Sequence, residues 1–128
     1  MISLKEALII HKLAIEKFGG SHGVRDMNLL ESAIHRPNAT FDGKDLYPNP
    51  IDKAAAIIES IIKNHPFYDG NKRTGYVLMR LVLLKFKVDI QATEKEKYAF
   101  VIKIATGKSD FKEIKSWIRK KTVSSHIF

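Results

Sequence analysis

The sequence contains no cysteine among its 128 residues, which excludes disulfide bonds and any zinc site built from thiolates. It also lacks a long hydrophobic run, because no stretch approaches the roughly 20 apolar residues that a membrane-spanning helix needs. The N-terminal segment carries acidic side chains and lacks the basic start and unbroken apolar core of a secretory signal. From these absences we expect a cytoplasmic protein with no membrane partner.

Acidic residues are few relative to basic ones. With 22 Lys and Arg against 14 Asp and Glu, the formal net charge is +8. This balance favours anionic partners, namely nucleotides, nucleic acid or an acidic protein, although scattered lysines on a solvated surface give the same count. About 45% of the residues are apolar or aromatic, enough for one core, and the length fits a single domain over residues 1–128.

Apolar residues recur at helical spacing along most of the chain. In chain order, the predicted helices open at Ser3 with Glu6, at Asp26 or Asn28, at Asn49 with Pro50, near Asn71, at Thr93 with Glu96, and at Ser109 or Asp110. The helix after Asn49 has alanine and isoleucine nearly all around it, so we expect it to be the central buried helix, ending near Asn64. The predicted fold class is all-α, a compact bundle of about six helices.

Two segments break the helical pattern. Residues 37–49 hold two prolines and a glycine without any period, so we expect a structureless stretch. This stretch is either a functional flap or a plain surface loop packed by its own aromatic side chains. Residues 88–90, Val-Asp-Ile, alternate in polarity but are too short to build a sheet.

The most informative segment is HPFYDGNKRT, residues 65–74, a charged turn between two apolar helices. Gly70 and Asn71 lead directly into the second helix, whose free N–H groups and positive dipole end form an anion site. Lys72 and Arg73 add two positive charges in the first helical turn, which is unfavourable unless an anion is bound there. The guanidinium can hold two phosphate oxygens at once, while the ammonium acts as a point charge.

Three further residues of the turn are assigned candidate roles. Asp69 is a hard oxygen ligand that could hold Mg²⁺ together with phosphate oxygens, or it could cap the helix. His65 can take a proton from an attacking hydroxyl at neutral pH, or it could simply close the preceding helix. Phe67 is expected to anchor the turn in the core. The other histidines lack a comparable setting and receive no catalytic role: His11, His22, His35 and His126.

The turn resembles the signature of the Fic/Doc family, in which six residues occur in fixed order over nine positions. Here they are His65, Phe67, Asp69, Gly70, Asn71 and Arg73. The segments GVRDMNLLESAIHRP and ATFDGKDLYP, together with the chain length, are similar to the death-on-curing branch of that family rather than to the larger Fic proteins.

The resemblance implies an all-helical fold with the signature turn between two central helices. It implies that His65 is the general base and that Asp69 is a ligand of Mg²⁺. It further implies a cradle for the phosphates of ATP, with residues 39–48 as a flap that aligns the target segment. The residues grouped with the nucleotide site are Phe67, Gly70, Asn71, Lys72 and Arg73.

Two departures from the family pattern decide the expected reaction. Family members that transfer AMP usually have glycine at the position of Lys72, and a second arginine at the position of Tyr76; the next arginine here is Arg80. The lysine form is similar to the death-on-curing kinases, which donate the γ-phosphoryl group of ATP to a protein hydroxyl. In that branch the target is translation elongation factor Tu, and translation stops. The alternative is AMP transfer to a protein hydroxyl.

The resemblance also implies a regulatory partner. Self-silencing Fic proteins carry a Ser/Thr-x-x-x-Glu-Gly/Asn helix; Ser109 and Glu113 have the first spacing, but Ile114 follows. Restraint would then come from a separate antitoxin whose C-terminal segment covers the active site. A third hypothesis, a basic module that binds nucleic acid, fits the net charge, but the chain has no aromatic-basic RNA motif and no convincing helix-turn-helix, so direct nucleic-acid binding is not expected.

Overall fold

The computed structural model describes residues 1–125 as a mainly α-helical protein with six helices and two small antiparallel sheets. In chain order the elements are α1 (Leu4–Phe18), α2 (Met27–His35), a short 3-10 helix (Arg36–Asn38), β1 (Thr40–Phe41), β2 (Lys44–Asp45), α3 (Pro50–Asn64), α4 (Asn71–Leu84), β3 (Val88–Ile90), α5 (Glu94–Ala105), α6 (Phe111–Lys121) and β4 (Thr122–Ser124). The predicted fold class is confirmed. Within the described chain, no helix is both long and apolar enough to cross a bilayer.

Side-chain caps begin most of the helices where the sequence predicts them. Capping boxes open α1, α5 and α6, formed by the pairs Ser3–Glu6, Thr93–Glu96 and Asp110–Glu113. Asp26 caps α2, and Asn49 caps α3 with Pro50 in the first turn. Helix α4 differs, because its N-cap is Gly70 and no side chain caps it.

The core is built around α3, as predicted. Ala54, Ile57, Ile58, Ile61 and Ile62 are fully buried, and they face several neighbours at once because α3 packs against α2, α4, α5 and α6. Its most extensive partner is α4, which buries Leu78, Met79, Val82 and Leu83. The turn that joins these two helices is therefore carried by the most rigid part of the fold.

A glycine allows α3 and α4 to approach each other closely. A Cβ atom built on Gly75 would lie 3.1 Å from Cγ1 of Ile62 and 3.4 Å from Cβ of Ile61. These are atoms of a buried helix rather than of a flexible exposed side chain, so they have little room to move.

The expectation that residues 88–90 are too short to build a sheet is wrong. Strand β3 pairs antiparallel with β4, in the register Val88 to Ser124 and Ile90 to Thr122. The partner strand follows the last helix, more than 30 residues later, so no local sequence pattern predicts this pairing. Helix α4, which begins at Asn71, ends at Leu84, and Phe86 lies in the turn that leads to β3.

Residues 37–49 were expected to be structureless, and this is wrong in detail. The 3-10 helix covers the start of the segment, and β1 and β2 then form a hairpin in which Thr40 pairs with Asp45. The two residues at its tip, Asp42 and Gly43, have φ angles of 53° and 78°. Positive φ at both positions belongs to the tight turn that Asp-Gly favours in hairpins.

We predict that Gly75→Val lowers the free energy of unfolding by about 1–3 kcal/mol, because a branched side chain would overpack the α3–α4 contact. Urea denaturation followed by circular dichroism measures the change. Val77→Ala, at an exposed position two residues along α4, serves as the control and should cost about 0.5 kcal/mol or less. Equal stability of Gly75→Val and the unmodified protein would contradict the close packing.

Candidate active site

The turn between α3 and α4 has an unusual backbone at both of its ends. His65 closes α3 in the left-handed region, with φ 50° and ψ 58°, and Gly70 precedes α4 with φ 75°. Glycine takes this conformation freely, whereas a residue with a Cβ atom is disfavoured there by about 1–2 kcal/mol. The conformation of His65 must therefore be held by contacts with the rest of the chain.

The N-terminus of α4 offers unused hydrogen-bond donors. The first helical backbone bond runs from the N–H of Thr74 to the carbonyl of Gly70, at 3.0 Å. Within residues 1–125, the N–H groups of Asn71, Lys72 and Arg73 have no partner, and no side chain caps the helix. These donors lie beside a cavity of about 320 Å³, the anion cavity, which is lined by the end of α1, the two glycines after it and residues 69–73. An anion is the ligand that such a helix end favours.

Two cations stand at the same helix end without a carboxylate partner. Lys72 and Arg73 are both exposed, and neither forms an ion pair with a residue of the described chain. The guanidinium of Arg73 lies 3.8 Å from the ring centroid of Phe18, so the arginine stacks on the end of α1 at the rim of the anion cavity. The positive charge of this helix end is therefore left to be neutralised by a ligand.

Asp69 lies at the edge of the anion cavity as a fixed carboxylate. One of its oxygens accepts from the N–H of Ser21 at 3.1 Å, and the other accepts from the N–H of Gly70 at 2.9 Å. These two bonds, with smaller contributions from Lys72 and His11, hold the pKa of Asp69 below its usual value, so the carboxylate is ionised at neutral pH. Among residues 1–125, no three His, Cys, Asp or Glu side chains cluster as a metal site. Asp69 therefore fits a Mg²⁺ ion completed by phosphate oxygens and water, not one held by the protein alone.

A glycine after α1 makes the contact with Asp69 sterically feasible. A Cβ atom on Gly20 would lie 2.6 Å from a carboxylate oxygen of Asp69, and Gly20 has a φ angle of 113°. Both the space and the backbone conformation therefore require glycine at this position. The diglycine at residues 19–20, which the sequence marks only as the end of a helix, also allows the loop to approach the carboxylate.

Phe67 anchors the turn in the core, as expected. Its side chain is 1% exposed, and its ring stacks on the imidazole of His11 with centroids 3.8 Å apart and planes 5° apart. The N–H at Nε2 of His11 donates to the backbone carbonyl of Asp69 at 2.8 Å. Burial lowers the pKa of His11, which favours the neutral form of the ring.

His11 is a residue of the site region that sequence reasoning missed. It is 4% exposed and belongs to the inward face of α1, where a polar residue interrupts the apolar spacing. That interruption was the available signal, since a buried polar side chain needs a partner. His22 is exposed, and His35 lines a different cavity. His126 lies outside the described residues.

Asn71 uses its side chain inside the turn. Its amide oxygen accepts from the N–H of Phe67 at 3.0 Å, and its Nδ2 donates to the carbonyl of Phe67 at 2.9 Å. The residue is only 5% exposed, so its side chain shapes the turn and its backbone N–H is what it offers to an anion. The side chain of Asn71 is thus buried inside the turn, whereas its neighbour Lys72 is exposed.

The orientation of the Asn71 amide fixes the tautomer of His65. The N–H of Phe67 can only donate, so the atom of Asn71 that it meets is the oxygen and the other atom is Nδ2. This Nδ2 also lies 3.2 Å from Nδ1 of His65, and because Nδ2 can only donate, Nδ1 accepts. The neutral imidazole then carries its proton on Nε2.

The loop between α1 and α2 pairs with the turn along its backbone. Val24 and Phe67 form an isolated antiparallel bridge, and the N–H of Tyr68 donates to the carbonyl of Gly23 at 3.3 Å. The N–H of Ser21 also donates to the carboxylate of Asp69, so this loop contacts the turn at three successive residues, 67 to 69. We call residues 19–26 the bracing loop.

On another side of the turn, a groove of about 770 Å³ separates the hairpin from the end of α3. It is lined by residues of α2, of the start of the hairpin and of the end of α3, including His35, Thr40 and Asn64. Arg36 holds the base of the hairpin, since its Nε donates to Oη of Tyr47 and its Nη1 donates to Glu59 on α3, both at 2.9 Å. The predicted flap at residues 39–48 is thus fixed relative to α3, the helix that precedes His65.

Comparison with known proteins identifies the family to which this arrangement belongs. The model of the Fic/Doc family matches residues 1–83, which include α1 to α3, the turn and most of α4. The chain belongs to the Fic/Doc family. A curated relative named Toxin Doc, from Mycolicibacterium smegmatis, is 52% identical over 59 residues. That alignment covers 46% of this chain and 45% of the relative, so the chain spans less than half the length of the curated relative it matches.

The structure also shows what replaces the second arginine that AMP-transferring Fic/Doc proteins usually carry. Tyr76 stands at that position, and burial raises its pKa to about 12, so its hydroxyl is neutral. The Tyr76 hydroxyl is buried and has no hydrogen-bond partner in the described chain. The guanidinium of Arg80 is held by two bonds to the carboxylate of Asp89, at 2.8 and 2.7 Å. Arg80 is therefore already paired one turn further along the helix.

We predict that His65 of the free protein carries its proton on Nε2 when the ring is neutral, because Nδ1 accepts from Asn71. Long-range ¹H–¹⁵N spectra of the imidazole rings, recorded well above the usual histidine pKa of about 6.5, distinguish the two tautomers. His11, whose Nε2–H donates to a carbonyl, is an internal reference for the same tautomer. A neutral His65 with its proton on Nδ1 would contradict the contact with Asn71.

Proposed function

We propose that this protein transfers the γ-phosphoryl group of ATP to a hydroxyl of a target protein. The observation that carries the proposal is the uncapped N-terminus of α4, where three free N–H groups and two unpaired cations follow the carboxylate of Asp69, in the turn that begins at His65. Phosphoryl transfer needs chiefly positioning and charge stabilisation, and this turn offers both.

The anion cavity can hold a triphosphate through complementary groups. The free backbone N–H groups at the start of α4 are donors for phosphate oxygens, and Gly70 has no Cβ that would keep a phosphate away from the backbone. Arg73 can form two parallel bonds to phosphate oxygens, and Lys72 adds a point charge. Asp69 would hold Mg²⁺, which when bound neutralises phosphate charge and orients the oxygens around it.

In the proposed reaction the target hydroxyl oxygen forms a bond to the γ-phosphorus, and the bond from that phosphorus to the bridging oxygen breaks, so that ADP leaves. His65 takes the proton of the attacking hydroxyl. Acceptance at Nε2 requires the tautomer with the proton on Nδ1, in which the contact from Asn71 is broken. Because the contact with Asn71 places the proton on Nε2 in the free protein, His65 must change to the other tautomer before it can act as the base in this proposal.

Two residues favour γ-phosphoryl transfer over AMP transfer. The position of the usual second arginine holds the neutral Tyr76, and Arg80 is paired with Asp89, so neither supplies a free charge there. The extra cation of this chain is Lys72 instead, at the start of the helix. We infer that the charge that stabilises the triphosphate is concentrated at the turn.

The biological role proposed here is that of a toxin controlled by an antitoxin. It is supported by the family and by the relative named Toxin Doc, which aligns with about half of this chain. We propose a cytoplasmic protein whose target is translation elongation factor Tu, whose modification stops translation, and whose cognate antitoxin covers the active site. The +8 net charge is consistent with an acidic partner.

We predict that the protein, incubated with Mg²⁺ and a lysate or purified elongation factor Tu, transfers label from γ-³²P-ATP to protein and none from α-³²P-ATP. Mass spectrometry of the labelled protein should show an added phosphate. Label from the α position only would replace the kinase proposal with AMP transfer. A lysate treated with nuclease is the control that separates both reactions from an effect on nucleic acid.

We predict that His65→Ala lowers turnover by at least about 100-fold, since general-base catalysis contributes about 10²–10⁴-fold, while ATP affinity changes little. Asp69→Ala should instead remove the Mg²⁺ dependence of ATP binding. Calorimetric titration and the γ-label assay measure the two effects separately. Glu31→Ala, an exposed carboxylate on α2, is the matched control, and full activity in both site variants would refute the site assignment.

A further inference from the structure

Arg25 lies on the bracing loop and contacts the chain segment that carries His65. Its Nε donates to the carbonyl of His65 at 2.6 Å, and its Nη2 donates to the carbonyl of Asn64 at 2.8 Å. The backbone N–H of Arg25 donates to the carbonyl of Pro66 at 2.7 Å, and that of Asp26 donates to the same carbonyl at 3.0 Å. Three consecutive carbonyls, those of residues 64–66, thus accept from this one arginine.

These carbonyls need partners because α3 ends there. The last carbonyls of a helix have no acceptor role inside the helix, and they form the negative end of its dipole. A planar guanidinium can bond two of them at once, which a single ammonium cannot do in the same geometry. His65 also has a left-handed backbone, with a φ angle of 50°. The hydrogen bonds from Arg25 are therefore made where the backbone conformation is unfavourable.

The side chain of Arg25 has no competing use in the described part of the protein. It is exposed, and within the described chain it forms no ion pair with a carboxylate and no hydrogen bond with a residue that lines the anion cavity. The carboxylate side of the turn is held separately, by the bond from Ser21 to Asp69 and by His11. The two halves of the turn are therefore braced by different residues of the N-terminal region.

From this geometry we propose that Arg25 is a positioning residue for His65. Arg25 sets the position of the His65 imidazole relative to the nucleotide and does not itself contact the nucleotide. The assignment rests on the proposed function, in which His65 is the base. Loss of the guanidinium frees the carbonyls of residues 64 and 65 and loosens the left-handed turn. Proton transfer is then impaired while the anion cavity keeps its shape.

The test compares Arg25→Ala and Arg25→Lys with the unmodified protein in the γ-label assay and in ATP titration. Arg25→Ala should lower kcat by at least tenfold with the Kd of Mg²⁺-ATP changed by less than twofold. Added guanidinium chloride, at a concentration that leaves the unmodified protein active, should restore part of the rate of Arg25→Ala. Arg119→Ala, an exposed arginine on α6, is the matched control and should keep full activity.

A second readout does not depend on activity. The imidazole resonances of His65 should be single and sharp in the unmodified protein and broadened or doubled in Arg25→Ala, while those of His11 stay unchanged. If the unmodified protein transfers no label, the proposed function fails and these spectra alone decide the role of Arg25. Unchanged kcat and unchanged His65 resonances in Arg25→Ala, or an equal loss of kcat and ATP affinity, would overturn the proposal.

Discussion

The site depends on hydrogen bonds between two loops that lie about 40 residues apart in the sequence. The bracing loop, residues 19–26, pairs with the turn through the bridge of Val24 and Phe67 and through the carbonyls of Gly23 and Pro66. A left-handed His65 and an uncapped helix are both unfavourable for an isolated chain. They persist because the adjacent loop supplies backbone partners and because α3 and α4 pack tightly on either side.

A second dependence is the internal support of Phe67. Its ring is buried against His11, whose imidazole in turn bonds the carbonyl of Asp69. The side chain of Asn71 closes the turn by bonding both backbone groups of Phe67. The exposed residues of the turn are thus supported by buried ones, and the part that faces a ligand can remain polar and charged without unfolding.

Much of the fold could be predicted because it follows local rules. Caps at Ser3, Asn49 and Thr93 begin their helices where expected, and the apolar surface of α3 identified the central helix. The hairpin has a local signal in Asp42-Gly43, which the reading of residues 37–49 as structureless overlooked. The β3–β4 pair has none, because it depends on a strand that follows the last helix.

The grouping of the candidate site residues could be predicted from the turn itself, whereas its supports could not. Residues 65–73 combine an imidazole, a carboxylate and a helix end in one continuous stretch, so their spacing alone shows that they lie together. His11 and Arg25 contact this stretch from distant positions, and although His11 interrupts an apolar helix face and Arg25 lies in a segment that resembles the family, neither signal names the turn as its partner. The partners that hold the backbone of a short motif lie elsewhere in the sequence, so they cannot be read from the motif itself.

The two sides of the turn are supported by different residues. Asp69 is held by Ser21 and His11, while the end of α3 is held by Arg25, so the side of the turn that carries Asp69 and the side that carries His65 are fixed by different residues of the same N-terminal region. The anion cavity is lined by the end of α1, the two glycines after it and residues 69–73, and His65 is not among its lining residues. Under the proposed function, nucleotide binding and proton transfer therefore rest on separate contacts.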